Sequence, residues 1–149
     1  MILGVDPGMS GALAWVSRDG HLIETADMPT IEVRGRRRMD AGTLVMMLAT
    51  RQVDRVIVEG VSAMPGQGVA STFAFGYAAG LIEGALSALN MPFTVIPAAQ
   101  WKRKAGVSAD KGAARQMAQR LWPGSRDFRR AKDHGRADAA LLARWGATQ

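Results

Sequence analysis

Apolar positions in this chain fall into short unbroken runs near the start and into helical stripes toward the end. Met1 to Asp6, Ala12 to Ser17 and His21 to Asp27 read as three strands, and Asp19-Gly20 is expected to form a hairpin turn of the primed type between the last two. An antiparallel meander results, ended by Pro29. Val53 to Glu59 is apolar and β-branched with no solvent-facing alternation, which suits a central strand covered on both faces. Pro92 to Pro97 brackets a short further strand, Phe93 to Ile96. Between these runs the period changes. Asp40 caps a helix to about Thr50, with Leu44, Met47 and Leu48 on one face. A long helix is expected from Ser71 or Thr72 to about Leu89, a further one from Ala109 to Trp122 capped by Ser108, and a last one from His134 to Trp145 ended by Gly146. Strands and helices interleaved in this way give an α/β fold with a mixed sheet, and the length of 149 residues fits a single domain spanning 1–149.

Three carboxylates break this pattern. Asp6 ends the apolar run Ile2-Leu3-Gly4-Val5, and Glu59 ends Val56-Ile57-Val58. Asp138 lies on the same helical stripe as Leu141, Leu142 and Trp145, so it faces the core. A buried, ionised carboxylate costs several kcal/mol unless it is paired, on the order of the stability contributed by a large core side chain. Three acids in three core elements therefore indicate one metal site. His134, one turn before Asp138, or Asp133 at the helix start, is a candidate fourth ligand. Hard divalent cations such as Mg²⁺ take oxygen ligands, and two of them about 4 Å apart can activate a water and stabilise a leaving oxygen at phosphorus.

Charge changes the picture of the partner. The chain carries a formal net charge of +6, and its arginines outnumber its lysines, which favours bidentate contacts with phosphate. Arg34-Gly35-Arg36-Arg37-Arg38 reads as an exposed basic loop, and Arg126, Arg129, Arg130 and Lys132 form a second basic run just before the last helix. Nucleic acid is the expected polyanion. The chain has no cysteine, which excludes disulfides and thiolate zinc sites. No basic n-region with a small-residue cleavage site opens the chain, so the expected compartment is the cytoplasm, of a bacterial cell or of a phage-infected host.

Residues 64–71 read as a glycine-rich loop. In the helix that follows, Gly76, Gly80 and Gly84 recur at every fourth position. Each interior glycine costs a helix roughly 1 kcal/mol relative to alanine, so the stripe calls for a close-packed backbone, either this chain's own sheet or a second copy. A membrane span is the competing use of such a stripe; Glu83 within it and the loop-like start weigh against that, and no membrane partner is expected. Phe73 and Phe75 follow the loop, where they can stack on an unpaired base or join the core.

Taken together, Ile2-Leu3-Gly4-Val5-Asp6-Pro7-Gly8, Ile57-Val58-Glu59-Gly60, the stretch from Pro97 to Lys111 with Trp101-Lys102 and Ala109-Asp110-Lys111, and Ala137-Asp138-Ala139 resemble the RuvC family of Holliday junction resolvases over nearly the whole chain. The resemblance implies an RNase H-like fold with a mixed five-stranded sheet flanked by helices. It implies a homodimer that nicks four-way DNA junctions symmetrically with Mg²⁺ or Mn²⁺, two ions per active site. By the same resemblance Asp6, Glu59 and Asp138 are metal-binding acids, while Lys102 and Lys111 match basic positions that contact DNA near the scissile phosphate. Lys104, Arg36, Arg37, Arg38, Arg129 and Arg130 complete the expected DNA-binding set. The segment from Met64 to Gly76 is more like the phage-encoded branch of that family. The family's fourth metal-site residue stands three positions before the last aspartate, where this chain has Gly135, so His134 or Asp133 takes that place. No aromatic residue closely follows Glu59, unlike the bacterial members, and the glycine-rich stretch between the two lysines is short. The Asp-Pro-Gly start also resembles the nucleotide-binding half of actin-like ATPases and sugar kinases, but those folds need two such domains to enclose a nucleotide.

Overall fold

The computed structural model describes residues 1–62, 66, 68–108, 110 and 112–149. The chain begins with strands β1 (Ile2–Asp6), β2 (Ala12–Val16) and β3 (Leu22–Asp27), then β4 (Thr30–Val33), β5 (Arg36–Met39), helix α1 (Ala41–Ala49) and strand β6 (Arg55–Gly60). After these come α2 (Val69–Ala88), β7 (Phe93–Pro97), α3 (Ala98–Lys104), α4 (Ala113–Leu121) and, after a 3-10 turn at Ala131–Asp133, α5 (His134–Ala147). Five strands form one sheet in the order β3-β2-β1-β6-β7. The meander β1-β2-β3 is antiparallel, whereas β6 runs parallel to both β1 and β7. The expected mixed sheet is present.

Strand alternation sorts the apolar residues onto two faces. Leu3, Val5, Val56 and Val58 join Leu44, Leu48, Ile82 and Leu86 beneath α1 and α2. Ile2 and Ile57, one step out of phase, join Trp101, Phe128 and the alanine-rich inner face of α5. Burying each of the large side chains removes it from water at a gain of roughly 1.5–3 kcal/mol, so both layers hold the sheet. Helix α5 lies close because β1 carries Gly4 beneath it: a Cβ there would come 2.8 Å from the backbone nitrogen of Ala143 and closer still to the carbonyl oxygen of Ala139.

Several local expectations change. The turn between β2 and β3 is not of the primed type. Gly20 N–H donates to Ser17 O at 3.0 Å and only Gly20 has a positive φ, +89°, so a type I turn is closed by a left-handed glycine. The primed turn lies further on. Arg34 (φ +52°) and Gly35 (φ +71°) are both left-handed, and they join β4 to β5 as an antiparallel hairpin with Val33 opposite Arg36 and Thr30 opposite Met39. The arginine stretch read as a loop is therefore a strand, formed because the two-residue turn matches strand twist while Met39 is buried to anchor it.

Helix α4 starts at Ala113 rather than Ala109. Gly112 has a φ of +87° and so cannot continue a helix, and the Ser108 hydroxyl closes a local turn by accepting from Asp110 N–H at 3.2 Å. Helix α3 was not expected; seven residues are too few to show a period. Of the glycine-rich loop, Met64, Pro65 and Gln67 lie outside the described residues, and Ala109 and Lys111 do as well. Helix α2 is long and apolar enough to cross a membrane by length and composition alone. Its Ala78, Ile82, Ala85 and Leu86 are buried against the sheet, so it forms a layer of this fold. A Cβ added at Gly76, Gly80 or Gly84 would meet nothing within 4 Å, so the glycine stripe faces outward and does not pack on the chain's own sheet.

Candidate active site

Period-two alternation aims two of the acids. Asp6 shares the face of Ile2, and Glu59 that of Ile57, so both project toward α5. One step beyond the Val5–Val58 pair, the parallel register sets them side by side at the carboxyl ends of adjacent strands. Asp138 comes down from α5, next to Ala139, whose carbonyl crosses Gly4. Three elements distant in sequence thus converge on one end of the sheet.

Helix α3 supplies the rest. Trp101, fully buried, donates its indole N–H to Glu59 Oε1 at 2.8 Å. The Lys102 ammonium stands 3.1 Å from Asp138 Oδ1 and 3.9 Å from Glu59 Oε1. It is close to Asp138 Oδ1 but not aligned with it as a hydrogen-bond donor, so that buried oxygen has no hydrogen-bond partner. Burial pushes the Asp6 carboxyl well above the ordinary carboxylate range, with the negative charges of Glu59 and Asp138 adding to the effect. Glu59 is also raised by burial, and the Trp101 hydrogen bond and the Lys102 charge oppose the rise. Burial and mutual repulsion thus favour the protonated forms of Asp6 and Glu59.

Among the described residues no three acidic or histidine side chains already converge on a single point. The donor set nevertheless suits a hard divalent cation: carboxylate oxygens, one of them buried and unsatisfied, with a single ammonium among them. Asp6, Asp138 and His134 line one cavity of about 500 Å³ together with Ser10, Ser71 and Phe75. His134, exposed at the start of α5, thus borders the acids. Asp133 does not. Its carboxylate is buried and turned to Arg130, accepting from the backbone N–H at 2.7 Å and from Nε at 3.0 Å. Burial alone would raise its pKa, but these bonds and the Arg130 charge hold it below the usual range.

The helix start beneath this cavity is tightly built. A Cβ at Gly135 would lie 2.6 Å from Ser10 O and 3.0 Å from Asp6 Oδ2, so a side chain at that position has no room while the chain follows this path. Arg136 reaches across from α5: it donates to Asp27 Oδ2 at 2.8 Å and to Asp127 Oδ1 at 3.4 Å, tying α5 to the end of β3. Neither the Arg136 clamp nor the Trp101 bond was legible in the sequence. The clamp joins positions 109 apart with no local pattern, and the only signal for the indole was its place beside Lys102.

The basic residues fall in different places. Arg36, Arg37 and Arg38 line a second cavity, which shares Met9 and Ala74 with the first. Lys104 ends α3, its ammonium 5.9 Å from the Trp145 ring centre. Arg129 is exposed ahead of α5, and Arg130 is partly committed to Asp133. Lys111 lies outside the described residues.

No family model matches the sequence. Over 91 residues, 59% of this chain, it is 33% identical to the chloroplastic Holliday junction resolvase MOC1 of Chlamydomonas reinhardtii, and it spans about 10% of that relative's length. A structure of T. thermophilus RuvC in complex with a Holliday junction substrate superposes with a TM-score of 0.66 at 19% identity, covering 97% of this chain and 90% of that one. A second Thermus thermophilus RuvC structure gives 0.63 at 18% identity, covering 97% and 91%. With five strands in this order, helices on both faces and near-complete superposition, the chain has the RNase H-like fold in the form found in RuvC.

Proposed function

We propose that this chain is a divalent-metal-dependent, structure-selective endodeoxyribonuclease that resolves branched DNA, four-way junctions above all. The observation that carries this is the gathering of Asp6, Glu59 and Asp138 at one end of the sheet beside the Lys102 ammonium, with Asp6 and Asp138 lining a cavity that shares Met9 and Ala74 with an arginine-lined one. Likeness in fold to a RuvC bound to a junction substrate, and partial sequence identity to a Holliday junction resolvase, support the choice of substrate.

Asp6, Glu59 and Asp138 would hold Mg²⁺, with Mn²⁺ able to replace it and two ions in the site, and His134 is the candidate fourth ligand because it borders the same cavity while Asp133 faces Arg130. The bound cation supplies activation of the attacking water and charge stabilisation at the departing oxygen. The chain's own groups do the positioning. Trp101 fixes the rotamer of Glu59 and favours its ionised form. Lys102 balances the acids and, with its ammonium beside Asp138, can pair with a phosphate oxygen of the strand to be cut. Arg36 to Arg38 and Arg129 add phosphate contacts that orient the DNA without reading its sequence. The outward glycine stripe of α2 lets a second backbone approach, which supports a homodimer whose two sites match the two-fold symmetry of a junction.

Incubating the protein with a labelled four-way junction and a matched linear duplex, with and without Mg²⁺, tests this. The expected result is paired nicks on opposing strands of the junction that require the cation and vanish in Asp6→Asn and Glu59→Gln. Junction binding with no nicking in any divalent cation, by folded wild-type protein, refutes it.

A further inference from the structure

Helix α5 runs antiparallel to β1. Gly135, at its start, sits against Asp6, whereas a Cβ at Gly146, near its end, would meet Ile57 Cγ1 at 2.6 Å and Ile2 Cγ2 at 3.3 Å. Toward that far end, away from the acids, the ends of α3 and α4 and the last turns of α5 line a cavity of about 180 Å³. Leu141 and Trp145 are four residues apart on α5, and Met117 and Leu121 four apart on α4, so each pair lies on one face. Leu141 is buried, but Met117, Leu121 and Trp145 pack against the core and stay half-buried. The floor is therefore apolar and partly open. Its rim is cationic. The Lys104 ammonium stands 5.9 Å from the centre of the Trp145 ring, and Arg144 donates to Gly20 O at 3.4 Å. Among the described residues neither cation forms an ion pair with a carboxylate. Helices α3 and α4 carry five lysines and arginines and no acidic residue. Lys102 and Lys104, two apart on α3, point to different sides: one to the acids, the other to Trp145.

We infer that this cavity is a docking site for an acidic peptide of a partner protein: one large apolar side chain of the peptide seats between α4 and α5, and carboxylates beside it pair with Lys104 and Arg144. Size sets the kind of occupant. Small-molecule sites span roughly 300–1,000 Å³, and this one, at about 180 Å³, takes a single anchoring side chain, the form in which a few residues carry most of a protein contact. Charge sets its sign, since the lining holds two cations and no carboxylate. A DNA phosphate satisfies the cations but has no favourable place over Leu121 and Leu141, where it would lose its hydration without a hydrogen-bond partner. An apolar anchor flanked by acids satisfies floor and rim together. Arg144 is tethered to Gly20 O before any partner arrives, which lowers the ordering cost of binding. Trp145 lies seven residues beyond Asp138, roughly 10 Å along the helix axis, so a partner held here leaves the acid cluster uncovered. Peptide docking does not depend on the nuclease reading.

The probe is a short fluorescein-labelled peptide with a central leucine flanked by aspartates, titrated with the full chain and followed by anisotropy. Two controls replace the leucine by alanine or the aspartates by asparagines. The leucine peptide is expected to bind at micromolar concentration and each control roughly tenfold more weakly or worse. Location is read from the Trp145 indole N–H resonance, assigned by its absence in Trp145→Phe; the leucine peptide should shift it and leave that of Trp101 in place. Lys104→Glu, at an exposed position, should weaken binding about tenfold. Leu121→Lys, which sets a charge on the apolar floor, should abolish it; should that variant not fold, Lys104→Glu and the alanine peptide still decide the matter. Equal binding of the leucine and alanine peptides overturns the inference, because attraction to net positive charge then accounts for it. So does the absence of binding at millimolar peptide, an unshifted Trp145 resonance, or unaltered affinity in Lys104→Glu. A linear DNA duplex that shifts the Trp145 resonance and displaces the peptide overturns it in favour of a DNA arm, and a concentration-dependent shift in the protein alone overturns it in favour of a second copy.

Discussion

The hydrogen bond from Trp101 to Glu59 gives the sharpest handle on the acid cluster. Glu59 is largely buried, and its carboxyl already stands above the ordinary range because of burial; the strongest opposing influence is the indole N–H at 2.8 Å. Trp101→Phe keeps an aromatic ring in the core but removes the donor. A hydrogen bond to a charged acceptor contributes about 1.5–3 kcal/mol, and the smaller ring adds a packing loss of about 1 kcal/mol. To separate the two, Trp101→Phe, Glu59→Gln and the double variant form a cycle, unfolded in denaturant at several pH values without divalent cation. The sign follows from linkage. Asp6 and Glu59 are both raised in the folded state, so the native protein keeps protons that the unfolded chain has already released. Their contribution is therefore most favourable below the ordinary carboxylate range and is lost as pH rises through the raised values. Trp101→Phe should steepen that loss, because Glu59 is raised further. In the Glu59→Gln background the added pH dependence should vanish, leaving only the packing cost. A coupling below about 0.5 kcal/mol, or a pH profile of Trp101→Phe parallel to wild type, would refute the assignment of the indole to the ionised carboxylate.

The same linkage predicts that Asp6→Asn raises the thermal midpoint of the cation-free protein at neutral pH while abolishing nicking, and that Mg²⁺ stabilises wild type more at pH 8 than at pH 5, where protons compete for the carboxylates. Calorimetry with and without the cation checks both. Lys102→Met leaves Asp138 Oδ1 buried beside no positive charge; since both side chains keep some exposure, the expected loss is about 1–3 kcal/mol, read by denaturation, with nicking reduced further than stability explains. Gly135→Ala forces a Cβ against Ser10 O and Asp6 Oδ2, so it should cost about 1–3 kcal/mol and weaken metal binding by isothermal titration. A variant with wild-type stability and metal affinity would show that the start of α5 shifts freely.

What the amino-acid order determined by itself was the alternation of apolar runs and stripes, and with it β1, β2, β3, β6 and β7, α1, α2 and α5. Asp6, Glu59 and Asp138 stood out for the same reason: a charge that interrupts a run destined for burial is visible without knowing its neighbours. Elements too short to show a period, or set by backbone geometry, were not legible. The arginine stretch looked like a loop because its apolar content is low, yet the two-residue turn at Arg34-Gly35 pairs it into a hairpin. Only the tertiary structure decided which face of α2 is free: periodicity places the three glycines on one stripe but does not say which stripe meets the sheet, and the larger burial of Ala78, Ile82 and Leu86 settled that. It likewise decided between Asp133 and His134 as neighbours of the acids, since one helical residue turns by roughly 100° about the axis and a nearby Arg130 captures the first while the second is left at the cavity. Side-chain partners far apart in sequence, such as Trp101 with Glu59 and Arg136 with Asp27, exist only once the sheet and α5 have closed on one another.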